Sequence, residues 1–184
     1  MESGQAAGFS IRELTESEID LNLFSGFQRR QVVEKCWRKV GGEWVVRPIA
    51  FVEEWGDAEY RELVACLKNT VSTGGAAFGA FENGRLIGFC SVEGVLFGKA
   101  REYIDLSCIH VSEDRRGRGV GRRLFMRAVA FGKRQGAKKL YISAHSSMES
   151  QAFYRAMGCV EAAEYDAVHV EKEPCDCQLE RVLE

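Results

Sequence analysis

Arg116 to Gly121 reads Arg-Gly-Arg-Gly-Val-Gly, set between an apolar run that ends at Val111 and an amphipathic segment that begins at Val120. A helix starting there leaves its first backbone N–H groups unpaired and carries partial positive charge, so it is suited to hold an anion such as a pyrophosphate. Gly117, Gly119 and Gly121 lack a Cβ, which lets the backbone curl and lets a phosphate come close to those N–H groups. Two other phosphate loops fail on spacing. The Walker pattern requires Lys and then Ser or Thr after its last glycine, whereas Arg122 and Arg123 follow Gly121. The dinucleotide fingerprint requires G-x-G-x-x-G and an acidic residue about twenty positions on. Here the glycines run Gly117-x-Gly119-x-Gly121, and residues 138–142 hold no acid.

The elements that must position this loop are readable from periodicity. Phe9 to Leu14 alternates as a strand, and Thr15 to Glu18 forms a capping box that predicts a helix carrying Ile19, Leu23, Phe24 and Phe27 on one face. Gly41-Gly42 and the aromatic stretch from Trp44 to Trp55, broken by Pro48, predict an irregular hairpin or extended insert over residues 40–56. Asp57 can cap a second helix with Tyr60, Leu63, Val64, Leu67 and Val71 on one side. From Ala76 the period changes to two, and Asn83-Gly84 joins Ala76–Glu82 to Arg85–Val95 as a tight hairpin. A strand over Glu102–Val111 leads to the loop. The helix after it buries Val120, Leu124, Phe125, Ala128 and Phe131 and ends at Gly136. Leu140–Ala144 follows as a strand that a right-handed crossover places parallel to the one ending at Val111. A short helix from Glu149 to Met157 and strands near Cys159–Glu164 and Cys177–Leu183 complete a mixed α/β sheet in one domain spanning residues 1–184.

Arg116-x-x-Gly119-x-Gly121, preceded by Leu106-Ser107-Cys108-Ile109-His110-Val111, resembles the acyl-CoA loop of the GNAT superfamily of N-acetyltransferases. Ala152-Phe153-Tyr154-Arg155-Ala156-Met157-Gly158-Cys159 is similar to that family's Phe/Leu-Tyr-x-x-x-Gly-Phe element, with Cys159 in place of Phe. The resemblance implies the GNAT acyl-CoA N-acyltransferase fold: a central mixed sheet flanked by helices, whose strands on either side of the loop helix splay apart. It implies acetyl-CoA as co-substrate. The backbone of Ile109, His110 and Val111 is then expected to hold the pantetheine arm, and Arg116, Gly117, Arg118, Gly119, Val120 and Gly121 the pyrophosphate. Ser147 stands where the family often has Asn, seven residues before the Tyr, and can donate to CoA.

Acetyl transfer from a thioester to an amine needs a neutral amine, stabilisation of the developing oxyanion and a proton for the departing thiolate. By resemblance, the N–H of Val111 polarises the carbonyl and Tyr154 serves the sulfur. For the base, Asp105 is the first choice: it shares strand parity with Ser107, Ile109 and Val111 and points to their face if no bulge intervenes. Glu102, a water chain and His145 are the alternatives. The family places its acceptor pocket near the region of Trp37, Trp44, Phe51 and Trp55, with Glu53 and Glu54 facing Glu171 and Glu173. Aromatic walls with carboxylates favour a small cationic amine. A protein lysine or N-terminal acetyltransferase, and a non-catalytic acyl-CoA sensor, are the competing readings.

Composition narrows the rest. The chain has 184 residues, 46% hydrophobic and 28% charged, which suits one domain with a real core. No stretch approaches the apolar length of a membrane span, and the first eight residues, expected to be a disordered tail, have neither the basic start nor the apolar centre of a secretory signal, so a cytoplasmic protein is expected. Seven cysteines with only three scattered histidines argue against both a disulfide framework and a metal site. Residues 115–139 hold ten of the 25 Lys and Arg and no acid, while the last 24 residues carry eight acids against Lys172 and Arg181. With a net charge of −2 and no nucleic-acid module, the local positive field fits a polyanionic co-substrate better than nucleic acid. A small-molecule amine is the expected partner, and a homodimer is a possible assembly.

Overall fold

The computed structural model describes residues 8–184, so most of the expected N-terminal tail lies outside the described residues. Nine strands and four helices follow in order: β1 (Ser10–Glu13), β2 (Arg30–Val40), β3 (Glu43–Glu54), α1 (Asp57–Ser72), β4 (Ala76–Glu82), β5 (Arg85–Val92), β6 (Tyr103–Val111), α2 (Val120–Arg134), β7 (Lys139–Ala144), α3 (Met148–Ala156), β8 (Val160–Glu161), α4 (Ala167–Lys172) and β9 (Cys177–Val182). Seven strands form one sheet in the order β1-β4-β5-β6-β7-β9-β8, while β2 and β3 form a separate ribbon.

The Asn83-Gly84 turn forms as expected, both residues taking positive φ (50° and 76°). β5 and β6 then pair antiparallel until the register slips from Ser91–Cys108 to Val92–Leu106, which leaves Ser107 as a bulge. Beyond the bulge each strand follows its outer neighbour. β6 pairs with β7 only over Tyr103–Asp105 and Lys139–Tyr141, then stays with β5 to Val111, while β7 stays with β9 to Ala144. The expected splay is therefore present.

α2 buries Val120, Leu124, Phe125, Ala128, Val129 and Phe131 on a core of Phe78, Ile87, Cys90, Ile104, Leu106 and Ile142. Its close approach depends on Gly88, where a Cβ would come within 2.7 Å of Val120 Cγ1 and 2.9 Å of Leu124 Cδ1. A second cluster under α1 joins Leu63 and Leu67 to Ile19, Phe24, Phe27 and Phe89.

Three expectations are corrected. The predicted helix from Thr15 to Phe27 is two short 3-10 turns, Glu16–Glu18 and Asn22–Phe24. The Thr15–Glu18 capping box does form, but Asp20 Oδ1 accepts from Leu23 N (2.9 Å) and starts a new turn, a local bond that competes with helix continuation. The apolar spacing is satisfied all the same, since Ile19, Phe24 and Phe27 are all buried. The insert begins at Arg30 and is a regular ribbon over residues 30–54, turned by Gly41 and Gly42 at positive φ, with Pro48 accommodated beside an irregular register near Val33 and Lys35. The N-cap of α1 is Gly56 rather than Asp57, its N–H donating to Glu59 Oε2 at 2.8 Å. α4 is unanticipated. It is pinned by His169, whose Nε2 and Nδ1 meet Asp105 Oδ2 (2.9 Å) and Asp166 Oδ1 (2.7 Å).

Gly88→Ala is expected to lower stability by about 1–3 kcal/mol through overpacking under α2, read by urea denaturation. Bonding to Asp105 lifts the His169 imidazole to about 9, so its stabilising contribution is complete below the ordinary 6.5 and is lost as the pH rises through about 9. The ring is partly exposed, so about 1–2 kcal/mol is expected. The thermal midpoint should fall over that interval in the native protein and stay flat in His169→Gln.

Candidate active site

The loop between β6 and α2 is shaped for an anion. Gly117 and Gly119 take φ of 75° and 78°, and a Cβ at either would meet nothing within 4 Å. The first helical bond of α2 runs from Arg123 N to Gly119 O (3.1 Å), so the N–H groups of Val120, Gly121 and Arg122 have no intrahelical partner. Gly121 serves a different purpose: a Cβ there would lie 3.2 Å from Phe153 and 3.5 Å from Val111, so it lets α3 and β6 close on the helix.

Much of the surrounding positive charge is spent on structure. Arg115 and Arg118 both pair with Glu82 (2.8 and 2.7 Å), and Arg85 with Asp114 (2.8 Å). Arg116 donates to the backbone oxygens of Arg30 (2.6 Å) and Val111 (3.3 Å), and its burial beside Arg29 pulls its proton affinity down. Backbone N–H groups are thus the free anion donors of the loop.

Next to the loop lies the open edge of β6. Ser112 N donates to Ile87 O (2.9 Å), and antiparallel alternation then turns the backbone of His110 toward β5 and the backbones of Ile109 and Val111 toward the gap. Of the three residues expected to present backbone there, two do so. His110 presents its side chain instead, on the opposite face of the sheet from α2. Its Nδ1 accepts from Arg29 Nε (3.1 Å), its ring packs against Trp55 and Phe89, and burial followed by the nearby guanidinium groups keeps it neutral.

The bulge at Ser107 also corrects the parity reading of Asp105. Leu106 and Ile109 belong to the core under α2, whereas Cys108 joins the cluster on the other face, so Asp105 does not share a face with Ile109 and Val111. It lies instead on the side of Cys108 and His110, ion-paired with His169, and its buried Oδ1 makes no hydrogen bond among the described residues. The other expected base, Glu102, pairs with Lys139 (3.4 Å) at the closed end of the β6–β7 pairing, away from the gap. Tyr154 is buried on α3 against Phe153, and burial raises its hydroxyl above the usual phenol range, with Asp176 and Asp105 nearby adding to the effect. The phenol therefore stays protonated near neutral pH.

Ser147 differs from expectation. It is fully buried as the N-cap of α3, its Oγ accepting from Ser150 N (3.2 Å) and Gln31 Nε2 (3.0 Å), so its hydroxyl is committed to the fold.

The ribbon arches over the mouth of the gap. On one side Arg30 meets Glu113 (3.1 Å), and on the other Trp37 N donates to Ser146 O (2.8 Å) and Arg38 to Ser146 Oγ (2.6 Å). Beneath it sit Arg29, Glu53, His110 and His145. Arg29 pairs with Glu53 (2.7 Å), while its buried Nη1 has no partner among the described residues. His145 accepts from Ser147 N (3.2 Å), lies near Phe51 and is kept neutral mainly by burial. The aromatic wall is already occupied by the protein's own cations: Arg155 on Trp37, Lys39 on Trp44 and Arg29 on Trp55. Sequence reasoning missed Arg29 and Asp176. Arg29 carries no motif, and Asp176 stands alone between Cys175 and Cys177, with no spacing that marks it out. All seven cysteines are free, and the described residues hold no group of metal ligands. No described helix is long and apolar enough to cross a membrane.

Solved structures share this architecture. Nourseothricin acetyltransferase superposes with a TM-score of 0.67 at 18% identity, covering 96% of this chain and 99% of that one. A putative streptothricin acetyltransferase from Bacillus anthracis str. Ames, in complex with acetyl coenzyme A, gives 0.68 at 16% identity over 96% and 97%. PaiA N-acetyltransferase from Thermoplasma acidophilum, in complex with coenzyme A, gives 0.58 at 14% identity over 95% and 98%. At such identities the likeness concerns the fold, and no curated protein matches the sequence. A family model described as the acetyltransferase (GNAT) family matches residues 41–159, from the ribbon turn through the glycine loop to the end of the Tyr154 element, and this chain belongs to that family.

Proposed function

We propose that the protein transfers the acetyl group of acetyl-CoA to a primary amine of a small cationic molecule by direct attack. The observation that carries this reading is the juxtaposition of unpaired N–H groups at the start of α2 with the N–H groups of Ile109 and Val111 and the carbonyl of Ile109, which face the gap along the separated edge of β6. The first set fits a pyrophosphate, and the second fits an amide-bearing arm laid along a strand edge. Acetyl-CoA supplies an activated acyl carbon.

The chain's own groups do the rest. The N–H of Val111 donates to the acyl oxygen, the kind of fixed donor that stabilises developing negative charge. Asp105, paired through Oδ2 with His169, offers its other oxygen, Oδ1, to the N–H of the acceptor and holds the attacking nitrogen. Tyr154, protonated and sheltered from water, gives its proton to the departing sulfur. A small acceptor is supported by the ribbon, which crosses above the gap and is tied down at Glu113 on one side and Ser146 on the other. A cationic one is supported by Glu53, Glu173 and Asp176, whose charges converge on one side of it. The Thermoplasma and Bacillus structures described with bound CoA or acetyl-CoA fit the same co-substrate.

An acetyl-CoA-dependent thiol-release assay over polyamines, aminoglycosides, amino acids and short peptides tests the reading, and turnover confined to neutral or anionic acceptors would contradict it. Gly119→Ala forces an L residue into a left-handed backbone and is expected to weaken acetyl-CoA binding at least tenfold by calorimetry, at a strain of about 1 kcal/mol or more. Tyr154→Phe should lower kcat about 100-fold while leaving acetyl-CoA affinity within about threefold.

A further inference from the structure

Asp176 stands one residue before β9, beside the stretch of β7 that has parted from β6. It is half-buried, forms no ion pair among the described residues, and has one long side-chain bond, from Ser143 Oγ at 3.3 Å. A carboxylate taken partly out of water without a counter-ion is costly unless it has work to do. The groups that act on it come from four segments: Glu173 from its own loop, Ser143 from β7, Glu53 from β3 and Arg38 from β2. Its charge in turn reaches Tyr154 on α3.

We infer that Asp176 is the group that removes the proton from the acceptor ammonium. This rests on the reaction proposed above and assigns its proton acceptor. Asp105 is a poor choice for that step because its Oδ2 is already engaged by His169 at 2.9 Å, whereas Asp176 has no ion-pair partner among the described residues. Burial, reinforced by Glu173 and Glu53, lifts the Asp176 carboxyl to about 6, close to where a general base is most effective near neutral pH. The balance closes. The R–NH3+ acceptor gives one proton to the Asp176 carboxylate, which releases it to solvent. The neutral nitrogen forms the C–N bond as the C–S bond breaks, a second proton passes from nitrogen to sulfur by way of Tyr154, and the third remains on the amide.

The test is the pH dependence of kcat/KM for the best acceptor of the panel in the native enzyme, Asp176→Asn and Asp105→Asn, with acetyl-CoA affinity measured alongside. Asn can still accept from Ser143, so the fold is kept. The native profile should rise to a plateau with an apparent pKa near 6. Asp176→Asn should lose about 100-fold or more at pH 7.5 and lose that limb, with acetyl-CoA binding unchanged. Asp105→Asn should lose rate but keep the limb. An Asp176→Asn enzyme within threefold of native with the limb intact, or a native profile rising with unit slope to the pKa of the amine itself, overturns the assignment. Carbon-13 NMR of the Asp176 carboxyl, identified by its loss in Asp176→Asn, gives a readout independent of turnover when n-butylamine is added to the CoA complex. A carboxyl that titrates near pH 6 and responds to the amine supports Asp176 even if no panel amine is acetylated, in which case only the acetyl-transfer reading falls. A carboxyl that ignores the amine overturns the inference.

Discussion

Everything at the candidate site depends on three residue pairs. β6 and β7 are held together only over Tyr103–Asp105, and past that point each is claimed by a different neighbour. A backbone edge that sheds its partner inside a folded sheet leaves strong donors and acceptors uncovered, a cost that native structures rarely tolerate without a replacement partner. The bulge at Ser107 belongs to the same device, since it increases local twist and reverses which side chains meet α2 and which meet the chamber. Asp105 and His110 consequently share a face that simple alternation would deny them.

Electrostatics at the site are defined as much by what is already paired as by what is free. Residues 115–139 are rich in cations, yet Glu82 and the carbonyls of Val111 and Arg30 absorb Arg115, Arg118 and Arg116. Fixed N–H dipoles at the start of α2 therefore offer a rigid, pre-oriented donor set, which flexible guanidinium side chains would not. The tryptophans are likewise covered by Arg155, Lys39 and Arg29, so recognition of a cation falls to carboxylates rather than to ring faces. Among the described residues three such groups lie around the chamber in different states: Glu53 paired with Arg29, Asp105 paired with His169 but with one oxygen free, and Asp176 without an ion-pair partner.

The ribbon joins the two halves of the arrangement. Its first strand receives Arg116 from the glycine loop and Gln31 reaches Ser147 at the head of α3, so the segment that shapes the acceptor side is tied to the same loop and helix that frame the other side. Ser147 illustrates the consequence: a position that resembles a ligand contact is consumed as a structural cap because the ribbon supplies Gln31 to it.

Local chemistry is legible in the chain wherever a short segment settles its own conformation. The glycine loop, the Asn83-Gly84 hairpin, the amphipathic α2 and the Tyr154 element each rest on neighbouring residues, and the family match adds that their order along the chain is that of an acetyltransferase. The 3-10 turns near Phe24, the extent of the ribbon and the short helix α4 are not legible in this way, because Asp20, Gln31 and His169 draw on partners chosen by packing rather than by spacing. The sequence by itself determined the anion-ready turn, the strands beside it and the family. Only the tertiary structure decided the face on which Asp105 lies, the commitment of Ser147 and the placing of Arg29 and Asp176 under the ribbon. The physical reason is that one bulge inverts side-chain parity and that burial and pairing between distant segments set which charges remain free.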